Sequence, residues 1–200
     1  AMDGTASEDW AYAPLVAACY ANETSPSYYS HLIVRENGSF QSFGQLRRAR
    51  FAYNEVESFS GYKSMCVHLA QMGELGPYFG ETVKSGSHVR SIEMVRRGEA
   101  DAAAIDSTII RLADSTDSGL LTGLQVIDRF GPYPMPPLVL AQSCPGELKA
   151  QLQTALTSMH QDAEGKALLD HYQIRRFVSV DDRYYDPIRA CLEHSQGIVL

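Results

Sequence analysis

Hydrophobic and polar positions along this chain switch between a two-residue and a three-to-four-residue period, and the switches mark its elements. "APLVAACYA" (Ala13–Ala21) and "YYSHLIVRE" (Tyr28–Glu36) are rich in β-branched and aromatic residues and predict strands. "SFGQLRRA" (Ser42–Ala49) predicts a short helix and "RFAYNEV" (Arg50–Val56) a strand. Over Gly61–Met72, Met65, Leu69 and Met72 recur at helical spacing as a core stripe, and Gly73 provides a stop. A strand near Glu81–Lys84 and a helix over His88–Arg97, ended by Gly98, come next. The compact apolar run "ADAAAID" (Ala100–Asp106) predicts another strand, and Ser107–Ala113 a turn or two of helix. "LQVIDRF" (Leu124–Phe130) predicts a strand that "GPYPMPP" breaks. Leu138–Ser143 then reads as a strand, and Gly146–His160, Ala163–His171 and Asp182–Glu193 as helices.

Strands alternating with helices at this spacing argue for an α/β fold with a largely parallel sheet. Arg50–Asp106 makes a βαβαβ unit of its own, and Tyr28–Glu36 and Leu124–Pro137 on either side look like crossings between two lobes. A bilobal molecule with a cleft is therefore expected. Residues 1–35 would form a first-lobe remnant and crossing strand, and 36–125 a second lobe carrying ligand loops. Residues 126–200 would be a return crossing with C-terminal helices on the first lobe. The opening "AMDGTASEDW" reads as a polar lead-in, and no signal peptide is visible in it.

Composition narrows the function classes. The net charge of −7 and the absence of a basic stripe argue against a nucleic-acid partner. The three arginines of "LRRAR" (Leu46–Arg50) read as a solvated basic turn. No apolar run approaches the ~18 residues that a membrane span needs. The four cysteines (Cys19, Cys66, Cys144, Cys191) are widely spaced with no C-x-x-C, so free thiols are expected rather than a zinc or thioredoxin site. The carboxylates and histidines near the C-terminus lack metal spacing, and neither a metal nor a cofactor is expected.

Candidate chemistry lies in three loops that leave strand ends and enter helices: "VESFSGY", "KSGSHVR" and "AAAIDST". In a parallel α/β unit, ligands sit outside the carboxyl ends of the strands. All three loops carry hydroxyls, and helix starts offer free N–H groups and a positive dipole end to an anion. Each loop alone has a plain reading as a helix cap, through Ser58 or Ser60, Ser87 and Asp106. Three of them at successive strand ends form a constellation for oxyanion binding.

The ordered set of "YYSHLIVRENGSFQSFGQLRRARFAYNEVESFSGY", "SGSHVRSIEMVRRGEADAAAIDS" and "EGKALLDHYQIRRFVSVDDRYYDPIR" resembles the phosphate/phosphonate-binding proteins of ABC transporters. Those have the type II periplasmic-binding fold. The resemblance covers nearly the whole chain, from about Pro14 to Arg189. It implies that Ser58 and Ser60, with the backbone amides of Gly61 and Tyr62, hold the oxyanion. It further implies that His88, beside Ser87, hydrogen-bonds the same group, that Asp106 lines the pocket, and that Tyr29, or else Tyr28, contributes from the strand entering the second lobe. Phe59 stands where the family usually has threonine, which removes a hydroxyl donor and adds an aromatic face. The family also begins with a further strand–helix stretch that builds most of the first lobe, so one complete βαβαβ lobe and an incomplete first lobe are expected here.

The implied function is a monomeric solute-binding protein that captures phosphonate, phosphite or phosphate in an interlobe cleft. It would deliver that ligand to an ABC permease in the periplasm or another extracytoplasmic space, with no membrane insertion of its own. The alternative is the ligand-sensing domain of a signalling receptor with the same pocket. A hydrolase with Ser60, His88 and Asp106 as a triad lacks the G-x-S-x-G elbow, so no enzyme activity is expected.

Overall fold

A computed structural model describes residues 11–21, 23–116 and 119–200; the polar lead-in lies outside them. The strands are β1 (Tyr12–Tyr20), β2 (Ser27–Arg35), β3 (Arg50–Tyr53), β4 (Glu81–Lys84), β5 (Ala102–Asp106), β6 (Leu124–Pro134), β7 (Pro137–Ala141) and β8 (Ile174–Ser179). The helices are α1 (Ser64–Gln71), α2 (His88–Arg97), α3 (Ser107–Ser115), α4 (Gly146–Ser158), α5 (Ala163–His171) and α6 (Asp186–His194). The chain divides into two compact units. One takes in the described residues up to Ser27 together with Pro134–Asp186; the other takes in Tyr28–Tyr133 together with Pro187–Leu200.

In the first unit β1 is the centre of an antiparallel sheet of order β7-β1-β8. Leu15, Val16, Ala17 and Cys19 of β1 are buried, which is why this strand reads as a near-continuous apolar run. The sequence reading missed β8. Its Arg175 and Arg176 are exposed on an edge strand, where charge blunts unwanted pairing and at the same time hides the strand pattern.

The second unit carries a five-stranded sheet of order β4-β3-β5-β2-β6. β3 pairs in parallel with β4 and β5, as a βαβαβ unit requires. β2 runs antiparallel to β5, with Ser30 opposite Asp106. The sheet is thus mixed where a largely parallel one was expected, because the antiparallel pair of β2 and β5 adjoins the parallel βαβαβ segment. β2 reaches the sheet without a crossover helix before it, so nothing in its connection holds it to the same direction. The proline-rich break also differs from expectation: β6 runs through it to Pro134. An edge position accommodates prolines because their missing N–H groups need not face a neighbouring strand.

Alternation along the strands divides the core in two. Leu32 and Val34 face Phe51, Ala102 and Ala104 with Met65 and Leu69 of α1, whereas Ile33 faces Ala52, Ala103 and Ile105 with Ile92 and Val95 of α2. Met72 leaves the expected core stripe: it caps α1 and is exposed. Ile198 and Leu200 pack on the α1 side of the core, so the end of the chain joins the second unit rather than the first. All four cysteines are free thiols.

At the N-terminal ends of β3 and β5, Asp101 holds the sheet together. Its carboxylate accepts from the Arg50 backbone N–H at 2.9 Å, from Arg50 Nε at 3.2 Å and from Arg50 Nη2 at 2.9 Å. "LRRAR" is therefore more than a solvated turn: Arg50 also donates to the Gly98 and Glu99 carbonyls, and Arg47 pairs with Glu74. Burial alone would raise the Asp101 carboxyl, but these hydrogen bonds and the charges of Arg50 and Arg35 carry it below its ordinary value. A depressed acid stabilises the fold above its unfolded-state value, and that contribution is lost as pH falls through the folded-state value. Urea unfolding should therefore show Asp101→Asn less stable than wild type at neutral pH. The gap should close in strong acid; a gap independent of pH would exclude this role.

Candidate functional site

The loops at the C-terminal ends of β3, β4 and β5 meet within the second unit. Between β3 and α1 the chain makes a π-helical turn, Phe59–Lys63, continuous with α1. Ser58 is its N-cap: its Oγ accepts from the Gly61 N–H at 3.1 Å, and its carbonyl accepts from the N–H groups of Tyr62 at 3.2 Å and Lys63 at 3.0 Å. The turn is held from beneath by buried serines that the sequence reading did not single out. Ser30 Oγ donates to the Ser60 carbonyl at 2.6 Å, and Ser64 Oγ lies 2.8 Å from the same oxygen. π-turns of this kind recur at functional sites.

This geometry assigns the turn's residues distinct tasks. The Ser58 hydroxyl and the Gly61 and Tyr62 amides are taken up within the turn. The Phe59 and Ser60 amides, at the first two positions after the cap, are the donors that a helix start leaves open. Gly61 is needed for space: a Cβ there would lie 1.9 Å from Asn54 Oδ1 and 3.2 Å from His88 Cε1.

The Ser60 side chain turns toward the other two loops. Its Oγ lies 3.2 Å from His88 Nε2 and 3.5 Å from Asp106 Oδ2. His88 is the first residue of α2, whose cap Ser87 accepts from the Arg90 N–H at 3.1 Å. Asp106 caps α3, with Oδ1 accepting from the Thr108 N–H at 2.8 Å and its hydroxyl at 2.7 Å, so that Oδ2 is the oxygen facing Ser60. Asn54, at the end of β3, completes the cluster with Nδ2 3.4 Å from His88 Nε2, and Asn54 Oδ1 is buried without a hydrogen-bond partner. A lone asparagine after a strand carries no sequence signal of its own; only the fold brings it to His88.

Burial lowers the His88 pKa, while the Asp106 carboxylate and the nearby Ala104 carbonyl act in the opposite direction. Nδ1 of this ring is buried and makes no hydrogen bond of good geometry.

The two tyrosines of β2 divide between the faces of the sheet. Tyr28 shares the face of Ser30. Burial, with Asp106 and Tyr133 nearby, raises its phenol well above the ordinary range. Tyr29 points the other way and carries the Arg129 guanidinium 3.2 Å above its ring. Tyr28 is therefore the one beside the cluster. Its ring lies 6.1 Å from that of Tyr133, and Tyr133 meets Phe59 edge-on at 4.7 Å. Aromatic contacts thus run from Tyr28, beside Asp106, to Phe59, beside Ser60. Taken together, the arrangement offers amide, hydroxyl and imidazole donors, one carboxylate oxygen and an aromatic side. Among the described residues no cluster of three metal-ligating side chains occurs, and no helix is long and apolar enough to cross a membrane.

Residues 5–185 match the family model described as the periplasmic substrate-binding protein of an ABC phosphonate transporter. Among solved structures, the chain is similar to a binding protein component of an ABC phosphonate transporter from Pseudomonas aeruginosa, with a TM-score of 0.81 and 22% identity over 93% of this chain. It spans 63% of that protein, less than two thirds of its length. PhnD1 from Prochlorococcus marinus, solved with methylphosphonate, matches with a TM-score of 0.76 and 20% identity, over 92% of this chain and 72% of that one. A Xanthomonas citri protein bound to ATP matches with a TM-score of 0.68 and 18% identity, over 93% of this chain and 70% of its own. No curated protein matches the chain. These neighbours place the chain in the type II periplasmic-binding fold. The family is one of transport binding proteins rather than enzymes, which sets aside the triad reading of Ser60, His88 and Asp106. By its match over residues 5–185, the chain belongs to the family of periplasmic substrate-binding proteins of ABC phosphonate transporters.

Proposed function

We propose that this chain binds a small phosphorus oxyanion (phosphonate, phosphite or phosphate) in an extracytoplasmic space and hands it to an ABC permease. The observation that carries this reading is the approach of His88 and Asp106 to within 3.5 Å of Ser60 Oγ, the three residues standing at the starts of three helices. Ser60 Oγ, the Phe59 and Ser60 amides and His88 act on the oxyanion. Ser58, Gly61, Tyr62 and Ser87 shape the two turns that present them, and Tyr28, rather than Tyr29, flanks the ligand. A net charge of −7 disfavours anions at long range, so binding depends on these local donors and on the dipoles of α1 and α2.

Asp106 Oδ2 can only accept, so it favours an anion that keeps a proton or carries a cationic substituent. Phosphorus oxyanions keep a proton near neutral pH and sulfate does not. Calorimetry with phosphate, phosphite, methylphosphonate, 2-aminoethylphosphonate and sulfate tests the reading. Binding of at least one phosphorus oxyanion with sulfate inert is the expected outcome, and no binding by any member of the panel would sink it.

Phe59 sets the finer preference. Its ring, packed on Tyr133, offers an apolar side to the carbon substituent of a phosphonate, whereas inorganic phosphate has none to offer. Phe59→Thr should shift the phosphate-to-methylphosphonate affinity ratio toward phosphate in the same assay. An unchanged ratio would make Phe59 a packing residue only.

A further inference from the structure

We propose that His88, before a ligand arrives, is a neutral ring whose Nε2 is held as an acceptor by Asn54 and Ser60, and that capture of the oxyanion adds a proton to this ring. The inference rests on the binding reading above. Its starting point is that two groups converge on one ring nitrogen: Asn54 Nδ2 at 3.4 Å and Ser60 Oγ at 3.2 Å. An amide nitrogen can only donate, so Nε2 must present its lone pair, and a neutral ring then carries its proton on Nδ1. Nδ1 is the buried nitrogen, away from Asn54 and Ser60, and the Ala104 carbonyl lies near the ring.

A ring in that state cannot serve an oxyanion. The anion brings acceptors, and Nε2 would meet them with another lone pair, while the single Ser60 hydroxyl proton is spent on Nε2 or on Asp106 Oδ2. Protonation reverses both conditions. A buffer acid gives its proton to Nε2, the Nε2–H bond forms, and the hydrogen bond from Ser60 to Nε2 breaks. The Ser60 hydroxyl is then released to donate to the ligand, with a positive ring behind it. Asn54 can follow by exchanging Nδ2 for Oδ1, the atom that lies buried without a hydrogen-bond partner. Asn54 is thus a positioning residue that stabilises each protonation state in turn.

The charged groups around the ring allow this. Asp106, at the end of β5, is the carboxylate that faces it and favours the protonated form. Asn54 and Ser60, on the loop between β3 and α1, are neutral. Beyond β3 and on β4, Glu55 and Lys84 pair with each other at 2.6 Å, and on α2 itself Arg90 is occupied by Glu93 and Glu99. Burial keeps the free ring neutral, and a bound anion offsets that effect.

The test is titration calorimetry of the protein with methylphosphonate, at a pH below the ligand's second ionisation, where the ligand already carries the proton that Asp106 Oδ2 accepts, in two buffers of different ionisation enthalpy. Uptake of about one proton per methylphosphonate is expected, with affinity falling about tenfold for each further pH unit. His88→Gln, which cannot gain a proton, should bind more weakly, with no uptake and a flat pH profile. The ring's nitrogen resonances in the ligand-free protein should report the Nδ1–H tautomer. Binding without proton uptake, or an Nε2–H tautomer in the free protein, overturns this inference and leaves the binding reading standing. Failure of every oxyanion to bind overturns both.

Discussion

Gly61→Ala is expected to abolish measurable oxyanion binding and to lower stability as well. At most helical positions, replacing glycine by alanine stabilises a protein by about 0.4–1 kcal/mol, because the unfolded chain has less freedom to lose. Here the added methyl would lie 1.9 Å from Asn54 Oδ1 and 2.9 Å from Asn54 Cγ, so Asn54 must move. It cannot do so without leaving His88 Nε2, now 3.4 Å from its Nδ2. The ring itself, 3.2 Å from the new Cβ at Cε1, is pressed in the same direction. Overpacking of this kind costs about 1–3 kcal/mol, which outweighs the entropic gain. The displaced group is the histidine on which the binding reading depends, so affinity suffers more than stability does. Calorimetry with methylphosphonate and a thermal melt on the same sample separate the two effects. An alanine variant that binds normally would show that Asn54 and His88 have room to adjust and that the close approach is incidental.

Ser60→Ala should weaken oxyanion binding by about 10- to 150-fold, the equivalent of the roughly 1.5–3 kcal/mol of a hydrogen bond to a charged group. The fold should survive the change. What holds the turn is the Ser60 carbonyl, which receives Ser30 and Ser64 hydroxyls, and the Ser58 cap; the substitution leaves these backbone groups in place. The loss should therefore appear in affinity with little change in melting temperature. Ser64→Ala should do the reverse, since Ser64 is fully buried and points beneath the turn rather than toward His88. If Ser60→Ala and wild type bind every phosphorus oxyanion alike, the hydroxyl is not part of the site.

Much of this molecule was legible in one dimension because its physics is local. The βαβαβ segment could be read because Met65 and Leu69 repeat at helical spacing, and because strands as short as Ala102–Asp106 are buried on both faces and so carry unbroken apolar runs. The three helix starts were legible for the same reason. A cap needs a small polar residue at one position, and Ser58, Ser87 and Asp106 all turn out to be caps. β8 escaped because its exposed Arg175 and Arg176 interrupt the pattern that would have announced it. The run into Pro134 read as a break because only an edge position makes proline acceptable in a strand.

Apart from β8 and the end of β6, sequence by itself determined the elements, their caps and the order in which polar loops follow strands, since each depends on residues within one or two turns of each other. The tertiary structure decided everything that depends on partners distant in the chain. Tyr28 rather than Tyr29 lies beside the cluster because the pairing of Ser30 with Asp106 fixes which face of β2 turns toward it, and a shift of one residue would exchange them. Ser30 and Ser64 reach the Ser60 carbonyl, and Asn54 reaches His88, only once β2, β3 and β5 lie side by side. Which amides stay open was likewise settled by the turn. A Ser58 that caps its own helix takes the Gly61 N–H and leaves those of Phe59 and Ser60. Caps and periods are short-range and survive in the order of the residues. Hydrogen bonds between side chains some thirty positions apart exist only after the sheet has formed.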